Sequence, residues 1–358
     1  MKLHKLGWND FFAAQFAENE NAALLPARVI EELKGHYRVL SESGEYLVKV
    51  AGSMRFDAGE RGDFPAVGDW VGIEPLNDKG RATIQALVPR RTKLSRKVAG
   101  RRNDEQILAA NVDTVFIVAA LNQELNLRRI ERYAALAWDS GARPVVLLNK
   151  ADLADDPSAL ALEVTAAVPG VDVHAVSCVT RAGFADFDKH LVEGQTCVFL
   201  GSSGVGKSTL VNALLGNAAQ STGPVRASDD RGRHTTTSRH LFVLPQGAIV
   251  IDTPGMRELQ LWGGETGVAV AFDDLETTAQ TCKFRDCKHE SEPGCAVRAA
   301  IASGELDAGR LANYQKLEAE MRFAAQKTDQ SVALAAKQRI KKLCGDQKRH
   351  YKLKPDLE

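Results

Sequence analysis

A glycine-rich motif that follows an apolar run and opens a helical one places the strongest constraint on the fold. The motif has the form G-x-x-x-x-G-K-[ST] and comprises Gly201, Ser202, Ser203, Gly204, Val205, Gly206, Lys207 and Ser208, followed by Thr209. In such a loop the backbone N–H groups surround a phosphate, the lysine reaches the β- and γ-phosphates and the serine hydroxyl reaches Mg²⁺. We therefore expect an α/β sheet with a nucleotide bound along this segment. A structural Gly/Ser turn is the alternative.

Two segments downstream are expected to complete the phosphate site. Asp252 follows an apolar run directly, and Gly255 stands in the D-x-x-G position behind it. Asp252 is expected to hold Mg²⁺ through water and the Gly255 N–H to contact the γ-phosphate. Between this segment and the P-loop lies a polar stretch with three threonines, Thr235, Thr236 and Thr237. One of them, which we take as Thr236, is expected to bind Mg²⁺ in the triphosphate state, although the sequence does not distinguish among the three.

The residue that orients the attacking water is not the usual one. Ras-like enzymes carry a glutamine directly after the D-x-x-G glycine, whereas Met256 occupies that position here. A thioether does not orient water in this way, so slow intrinsic hydrolysis is expected. His234, beside the threonines, is the candidate for the role, and a solvated loop histidine is the alternative.

A second motif indicates which base is bound. Asn149, Lys150, Ala151 and Asp152 form N-K-x-D after a predicted strand. A carboxylate at Asp152 pairs with the guanine N1–H and 2-amino group, which adenine lacks, so GTP and GDP are favoured over ATP. Ser177, at the end of the next predicted strand, falls where a backbone contact to guanine O6 is expected. A P-loop ATPase or small-molecule kinase is the alternative, against which Asp152 argues.

The order of these motifs is rotated. A Ras-like chain has the P-loop first and N-K-x-D near its end, whereas here Asn149 precedes Gly201. Joining the old termini and cutting the chain after D-x-x-G produces this order and leaves the sheet unchanged. The segment after Asp252 then leads directly into the C-terminal part of the chain.

Changes in the pattern of apolar and polar residues divide the 358 residues into four parts. Residues 1–25 resemble an arm that docks elsewhere, and residues 26–100 contain short β-like runs separated by turns, typical of a small OB-fold barrel, with an SH3-like barrel as the alternative. Residues 104–260 alternate strands and helices, which predicts a circularly permuted α/β P-loop domain. Residues 261–358 are predicted to form a helical, zinc-binding domain with a basic tail.

A cysteine and histidine cluster in the C-terminal part predicts a metal site. Its members are Cys282, Cys287, His289 and Cys295. Three thiolates and one imidazole within a short loop suit a closed tetrahedral Zn²⁺ site. Free reduced cysteines are the alternative.

The net charge is zero, and only its distribution suggests a polyanionic partner. No acidic residue occurs between Asp78 and Asp104, whereas the same stretch contains many arginines and lysines, and a second basic run occupies 337–354. A solvated linker and tail are the alternative. The absence of a long apolar run or a signal-like start predicts a cytoplasmic protein without a membrane partner, and we expect a monomer.

The predicted barrel, the rotated motifs, the G-R-H-T-T-T run at 232–237 and the C-x4-C-x-H-x5-C cluster together resemble the ribosome small-subunit-dependent GTPase A family. Leu6 to Asp10 is similar to the start of that family. The resemblance covers nearly the whole chain, with Cys178 in place of the usual alanine as a mild departure. It implies an OB-fold, structural zinc, rRNA binding and a late role in maturing the small (30S) ribosomal subunit, which stimulates GTP hydrolysis. An RNA-binding nucleotide switch with negligible turnover is the alternative that Met256 keeps open.

Overall fold

A computed structural model of the chain describes residues 1–19, 23–97, 105–122, 125–216, 239–252, 265–323 and 326. The predictions for His234, Thr236, Gly255 and Met256 lie outside these residues, as does the second basic run.

Residues 25–87 form a closed barrel. Its strands are β1 (Leu25–Leu33), β2 (His36–Ser41), β3 (Gly44–Val50), β4 (Trp70–Pro75) and β5 (Arg81–Leu87), with the short helix α2 (Gly52–Asp57) between β3 and β4. The order β1-β2-β3-β5-β4 closes through a pairing of β4 with β1, which is the OB arrangement. Alternating side chains fill the interior, and Val29, Val39, Val48, Ile73 and Ile84 are fully buried. The predicted OB-fold barrel is confirmed.

The N-terminal arm packs against the barrel. It contains a 3-10 helix (Leu3–Leu6) and the helix α1 (Asp10–Ala17), which the Asn9 side chain caps by accepting from the Phe12 N–H. Phe12 is 2% exposed, and Trp8 lies edge-on to Trp70 of β4 at 4.6 Å between ring centroids. The arm therefore owes its position to apolar contact with the barrel.

A β-hairpin leads from the barrel to the next sheet. Its strands are β6 (Lys93–Lys97) and β7 (Glu105–Ala110). Several basic residues of the acid-free stretch form ion pairs with carboxylates of the protein here. Arg90 forms a salt bridge with fully buried Asp69 at 2.7 Å, and Lys93 pairs with Glu105 at 2.9 Å. Part of the first basic cluster is thus structural and does not form a free surface for a polyanion.

The central sheet has helices on both faces. Its strands are β8 (Thr114–Ala120), β9 (Arg143–Asn149), β10 (Asp172–Ala175), β11 (Thr196–Leu200), β12 (His240–Val243) and β13 (Ile249–Asp252). They lie in the order β10-β9-β8-β11-β13-β12. The first five strands in this order run parallel to one another, and β12 runs antiparallel to them. The helices are α3 (Leu127–Asp139), α4 (Pro157–Ala167), α5 (Phe184–Asp188) and α6 (Lys207–Leu215). The mostly parallel α/β sheet is confirmed.

The C-terminal helices extend the same core. They are α7 (Glu265–Ala271), α8 (Asp273–Ala279), α9 (Ala296–Ser303) and a helix covering 308–323. Phe272, Leu275 and Leu317 belong to the buried cluster that also contains Ile130 of α3 and Val146 of β9. Within the described part of the chain, none of the helices combines the length and apolar composition that a membrane crossing requires.

Candidate active site

The predicted nucleotide motifs meet at one edge of the central sheet. In the parallel pairings Asn149 lies opposite Ala120, Leu200 opposite Ile117, and Ile251 opposite Val198. The carboxyl ends of β8, β9, β11 and β13 therefore lie side by side. In open α/β sheets this edge is where ligands bind. The fold places N-K-x-D, the P-loop and Asp252 there, although they are far apart and rotated in the chain.

The P-loop backbone needs glycine at two close approaches. Gly201 has φ 149° and Gly206 has φ 97°. A Cβ on Gly201 would lie 2.3 Å from the Val118 carbonyl oxygen, and one on Gly206 would lie 2.2 Å from Asn149 Nδ2. Any larger residue would push the loop away from the sheet edge.

The lysine of the loop is held close to its backbone. Lys207 Nζ donates to the carbonyl oxygens of Gly201 and Ser202, both at 2.7 Å. Helix α6 begins at Lys207, and Ser208 and Thr209 are exposed in its first turn. The N–H groups of that turn and the positive end of the helix dipole favour an anion at this position.

Asn149 ties the base motif to the phosphate motif. Its side chain is buried, and its Nδ2 donates to the Val205 carbonyl oxygen at 2.9 Å. The Cys178 thiol approaches Asn149 Oδ1 at 3.6 Å, and burial raises the pKa of this thiol, so it stays neutral. The structure gives Asn149 a bracing role in the loop, and its expected support of the base stays a prediction.

The Asp152 carboxylate is exposed and oriented by Ser177. Ser177 Oγ donates to Asp152 Oδ1 at 2.5 Å and accepts from the N–H groups of Val179 and Thr180 at 3.2 and 3.1 Å. Lys150 has a left-handed backbone (φ 62°), which turns the chain at the end of β9. The two predicted base-site residues, 25 positions apart, are thus in direct contact.

Arg129 is a neighbour of the P-loop that sequence reasoning missed. It lies on α3, and its Nη1 donates to Ser202 Oγ at 2.6 Å. Nothing in the local sequence distinguishes Arg129 from the adjacent Arg128, because only the docking of α3 selects which arginine reaches the loop.

The four predicted metal ligands converge. His289 Nδ1 lies 3.7 Å from Cys282 Sγ and 3.4 Å from Cys295 Sγ, and the two sulfurs are 4.0 Å apart. All four ligand atoms, including that of Cys287, lie within 4.8 Å of one another. A tetrahedral Zn²⁺ with Zn–S about 2.3 Å and Zn–N about 2.0 Å requires ligand separations of about 3.5–3.8 Å. The cluster can therefore hold a metal ion.

The chain is similar to proteins of one named family. The model of the RsgA GTPase family matches residues 87–262. A model of ABC transporters also matches, over residues 184–353, but this range begins after Asn149–Asp152 and so leaves out the guanine motif. The small ribosomal subunit biogenesis GTPase RsgA of Opitutus terrae is 46% identical over 96% of both chains. The protein of the same name from Methanosarcina acetivorans is 39% identical over 97% of this chain and 92% of its own.

Two solved structures share the architecture. YjeQ from Thermotoga maritima has a TM-score of 0.62 and 25% identity over 83% of this chain and 98% of that chain. YloQ, described as a circularly permuted GTPase, has a TM-score of 0.60 and 25% identity over 85% and 97%. The rotated order predicted from the motifs is therefore confirmed as a circular permutation. The chain belongs to the RsgA GTPase family and is a GTPase with a circularly permuted nucleotide-binding domain.

Proposed function

We propose that this GTPase acts as a late-stage maturation factor of the small (30S) ribosomal subunit, binds rRNA, and is stimulated by the subunit. The observation that supports the GTP chemistry most is that Ser177 contacts Asp152 while Asn149 contacts the P-loop, because this brings the residues proposed to read guanine next to the phosphate loop. The relatives named as small ribosomal subunit biogenesis GTPases support the choice of partner.

The hydrolytic roles are assigned as follows. With GTP and Mg²⁺ bound, Lys207 would contact the β- and γ-phosphates, and Ser208 would supply a hydroxyl to the ion. Asp252 would hold the ion through water, and Thr236 would be a further ligand. The ion would neutralise charge on the phosphates, and His234 would orient the attacking water in a chain that has Met256 at the usual glutamine position.

Asp152→Asn tests the base assignment. The amide replaces one of the two acceptor oxygens by an N–H donor, which cannot accept from the guanine 2-amino group but can donate to the C2 carbonyl of xanthine. Preference should therefore shift from guanosine toward xanthosine nucleotides. The matched control is Asp155→Asn, a neighbouring exposed carboxylate. Competition binding with GTP, XTP and ATP measures the shift. An unchanged preference, or ATP competing at the concentration of GTP, contradicts the assignment.

The metal is proposed to be one structural Zn²⁺ held by Cys282, Cys287, His289 and Cys295. Three thiolates and an imidazole form a closed donor set that favours Zn²⁺ over hard cations. Its contribution is to fold the loop that carries the ligands.

Two exposed aromatic side chains, each adjacent in the chain to at least one basic residue, are proposed to contact rRNA. Phe56 of α2 is 91% exposed and follows Arg55 on the barrel. Phe284 is 41% exposed between Lys283 and Arg285, next to the metal ligand Cys282. Aromatic faces stack on unpaired bases while basic groups contact phosphates.

GTP turnover with purified small subunits, large subunits and neither tests the partner. The proposal expects stimulation of at least about tenfold by small subunits only, with Lys207→Ala inactive throughout. Phe56→Ala is expected to weaken the stimulation, and Leu76→Ala, another exposed apolar residue of the barrel at 52%, serves as its control. Binding of small subunits without stimulation would instead support an RNA-binding switch with negligible turnover. The proposed setting is the cytoplasm, with the protein acting as a monomer.

A further inference from the structure

The barrel is joined to the central sheet by a row of three residues that ends at the active site. Strand β1 pairs with β12 through Glu31 and His240, and β12 pairs with β13 so that His240 faces Asp252. Both pairings are antiparallel. Directly opposed residues of antiparallel strands project to the same face, with Cβ atoms about 4.5–5.5 Å apart. Glu31, His240 and Asp252 therefore share one face of the sheet, with His240 between the two acidic residues.

The barrel end of this row is held by side chains as well. Glu31 Oε1 lies 3.2 Å from His240 Nε2, and its Oε2 lies 3.4 Å from Arg38 Nε. Glu31 is only 8% exposed, so its charge acts on the imidazole with little screening by water.

A second ion pair fixes the opposite face of the junction. Arg239 Nη1 donates to Glu32 Oε2 and to the Ile107 carbonyl oxygen, each at 3.1 Å. Successive residues of a strand point to opposite faces. Glu31 therefore contacts His240 on one face of the junction, and Glu32 contacts Arg239 on the other. The first residues of β12 therefore move with the barrel.

We propose that Glu31 and His240 are positioning residues for Asp252. The Glu31 carboxylate fixes the His240 ring, and the ring in turn sets where Asp252 lies at the end of β13. Residues outside the ligand shell that orient a ligand can change metal affinity by about 10- to 100-fold. This inference rests on the proposed role of Asp252 in holding Mg²⁺. Its consequence is that a displacement of the barrel by a bound polyanion reaches the metal-holding carboxylate directly.

The test measures two quantities for the full chain as a function of free Mg²⁺: equilibrium binding of a fluorescent, non-hydrolysable GTP analogue, and steady-state GTP turnover. The half-saturating Mg²⁺ concentration is determined from each. For Glu31→Leu we expect the half-saturating Mg²⁺ concentration to rise about tenfold while kcat at saturating Mg²⁺ falls less than about threefold. Glu31→Gln keeps an acceptor for His240 and is expected to recover most of the affinity. His240→Phe is expected to match Glu31→Leu, and the double variant to be no worse than either single one.

Glu45→Leu is the matched control. Glu45 pairs with the same Arg38, at 3.2 Å, but is half exposed, and its loss leaves the contact of Glu31 with His240 in place. A Mg²⁺ requirement in Glu31→Leu no different from that of Glu45→Leu overturns the proposal. So does full additivity of the Glu31 and His240 substitutions. Should Glu31→Leu fail to fold, the comparison of Glu31→Gln with Glu45→Gln decides in the same way.

Asp252→Asn separates this inference from the function on which it rests. If Asp252→Asn raises the Mg²⁺ requirement and Glu31→Leu does not, the positioning role fails and the role of Asp252 stands. If Asp252→Asn leaves the Mg²⁺ requirement unchanged, the proposed role of Asp252 fails, and the positioning role with it.

Discussion

The barrel and the C-terminal helices join the central sheet in different ways. The barrel keeps a core of its own, which includes Val48, Ile73 and Ile84. The C-terminal helices have none apart from the sheet, because Phe272 and Leu317 lie in the same buried cluster as Ile130 and Val146. Separating these helices from the sheet would expose apolar surface on both sides. Separating the barrel would expose less, because Val67 and Ile30 are its members of the cluster that contains the sheet residues, and it would leave the barrel's own core intact.

The polar contacts at the two junctions also differ. At the C-terminal junction, Arg310 is 4% exposed and binds Glu131 at 3.2 Å and Asp274 at 2.7 Å, so a buried cation meets carboxylates directly. At the barrel junction, the guanidinium of Arg28 donates to the Leu6 carbonyl oxygen, to Gly68 O at 3.2 Å and to Thr196 Oγ1 at 2.7 Å.

Burial lowers the pKa of Arg28 to about 9, against the opposing charge of Asp69. Arg28 thus hydrogen-bonds to the arm, the barrel and the central sheet, and its partners there are neutral oxygen atoms. The C-terminal helices therefore belong to the GTPase core, whereas the barrel is a unit with a core of its own that is attached to the sheet.

Metal removal is expected to lower stability more than any of the substitutions below, and to do so in the C-terminal helices and not in the barrel. Since metal-bound loops of this kind gain much of their folding free energy from the ion, a zinc-selective chelator in excess Mg²⁺ should lower the stability of residues 265–323 by about 5 kcal/mol or more. Hydrogen exchange measures the loss of protection, which should spare the barrel. Cys282→Ser should show the same loss before chelation and no further change after it. An equal loss of protection in the barrel and in the C-terminal helices would contradict the difference between the two junctions.

Arg310→Ala should destabilise the protein by about 3–5 kcal/mol, because it breaks a buried ion pair with Glu131, which is 1% exposed, and removes the hydrogen bonds to Asp274 and to the carbonyl oxygen of Ala271. Urea unfolding followed by fluorescence measures the change. Arg322→Ala, on the same C-terminal helix with a side chain 71% exposed, is the control and should cost about 0.5 kcal/mol or less. Equal costs for the two substitutions would show that the buried network is not what holds the helices.

Phe12→Ala should cost about 3 kcal/mol, because it empties a buried site against Trp70. The loss should appear in the arm and β4 by hydrogen exchange and leave the C-terminal helices protected. Phe11→Ala, the neighbouring residue at 40% exposure, should cost clearly less. Loss of protection at α7 and α8 would contradict the independence of the two junctions.

Arg132→Ala should have the smallest effect and lower the free energy of unfolding by about 0.5–1 kcal/mol. Arg132 binds both oxygens of Glu320, at 3.1 and 2.6 Å, but the side chains are 23% and 37% exposed. A double-mutant cycle with Glu320→Ala isolates the pair. A coupling energy as large as that of Arg310 with Glu131 would mean that burial does not set the strength of this junction.

The sequence predicted the features that are local in the chain. The P-loop needs glycine at 201 and 206 because the backbone itself approaches neighbouring atoms there. Short β-like runs separated by turns predicted the barrel, the alternation of strand and helix patterns predicted the central sheet, and the cluster from Cys282 to Cys295 predicted the metal ligands that converge in the structure. The composition of the basic stretch before Asp104 did not reveal that Arg90 is neutralised by Asp69 within the fold.

The contacts that couple the parts were decided only by the tertiary structure. Arg310 and Glu131 are 179 positions apart, and Arg129 and Ser202 are 73 apart. No spacing rule relates residues so distant, because their contact depends on how helices dock. The row from Glu31 through His240 to Asp252 depends likewise on the register of three strands, where a slip of one residue would turn each side chain to the other face. The sequence by itself thus determined the chemistry at the sheet edge, and strand register and helix docking decided what that chemistry is connected to.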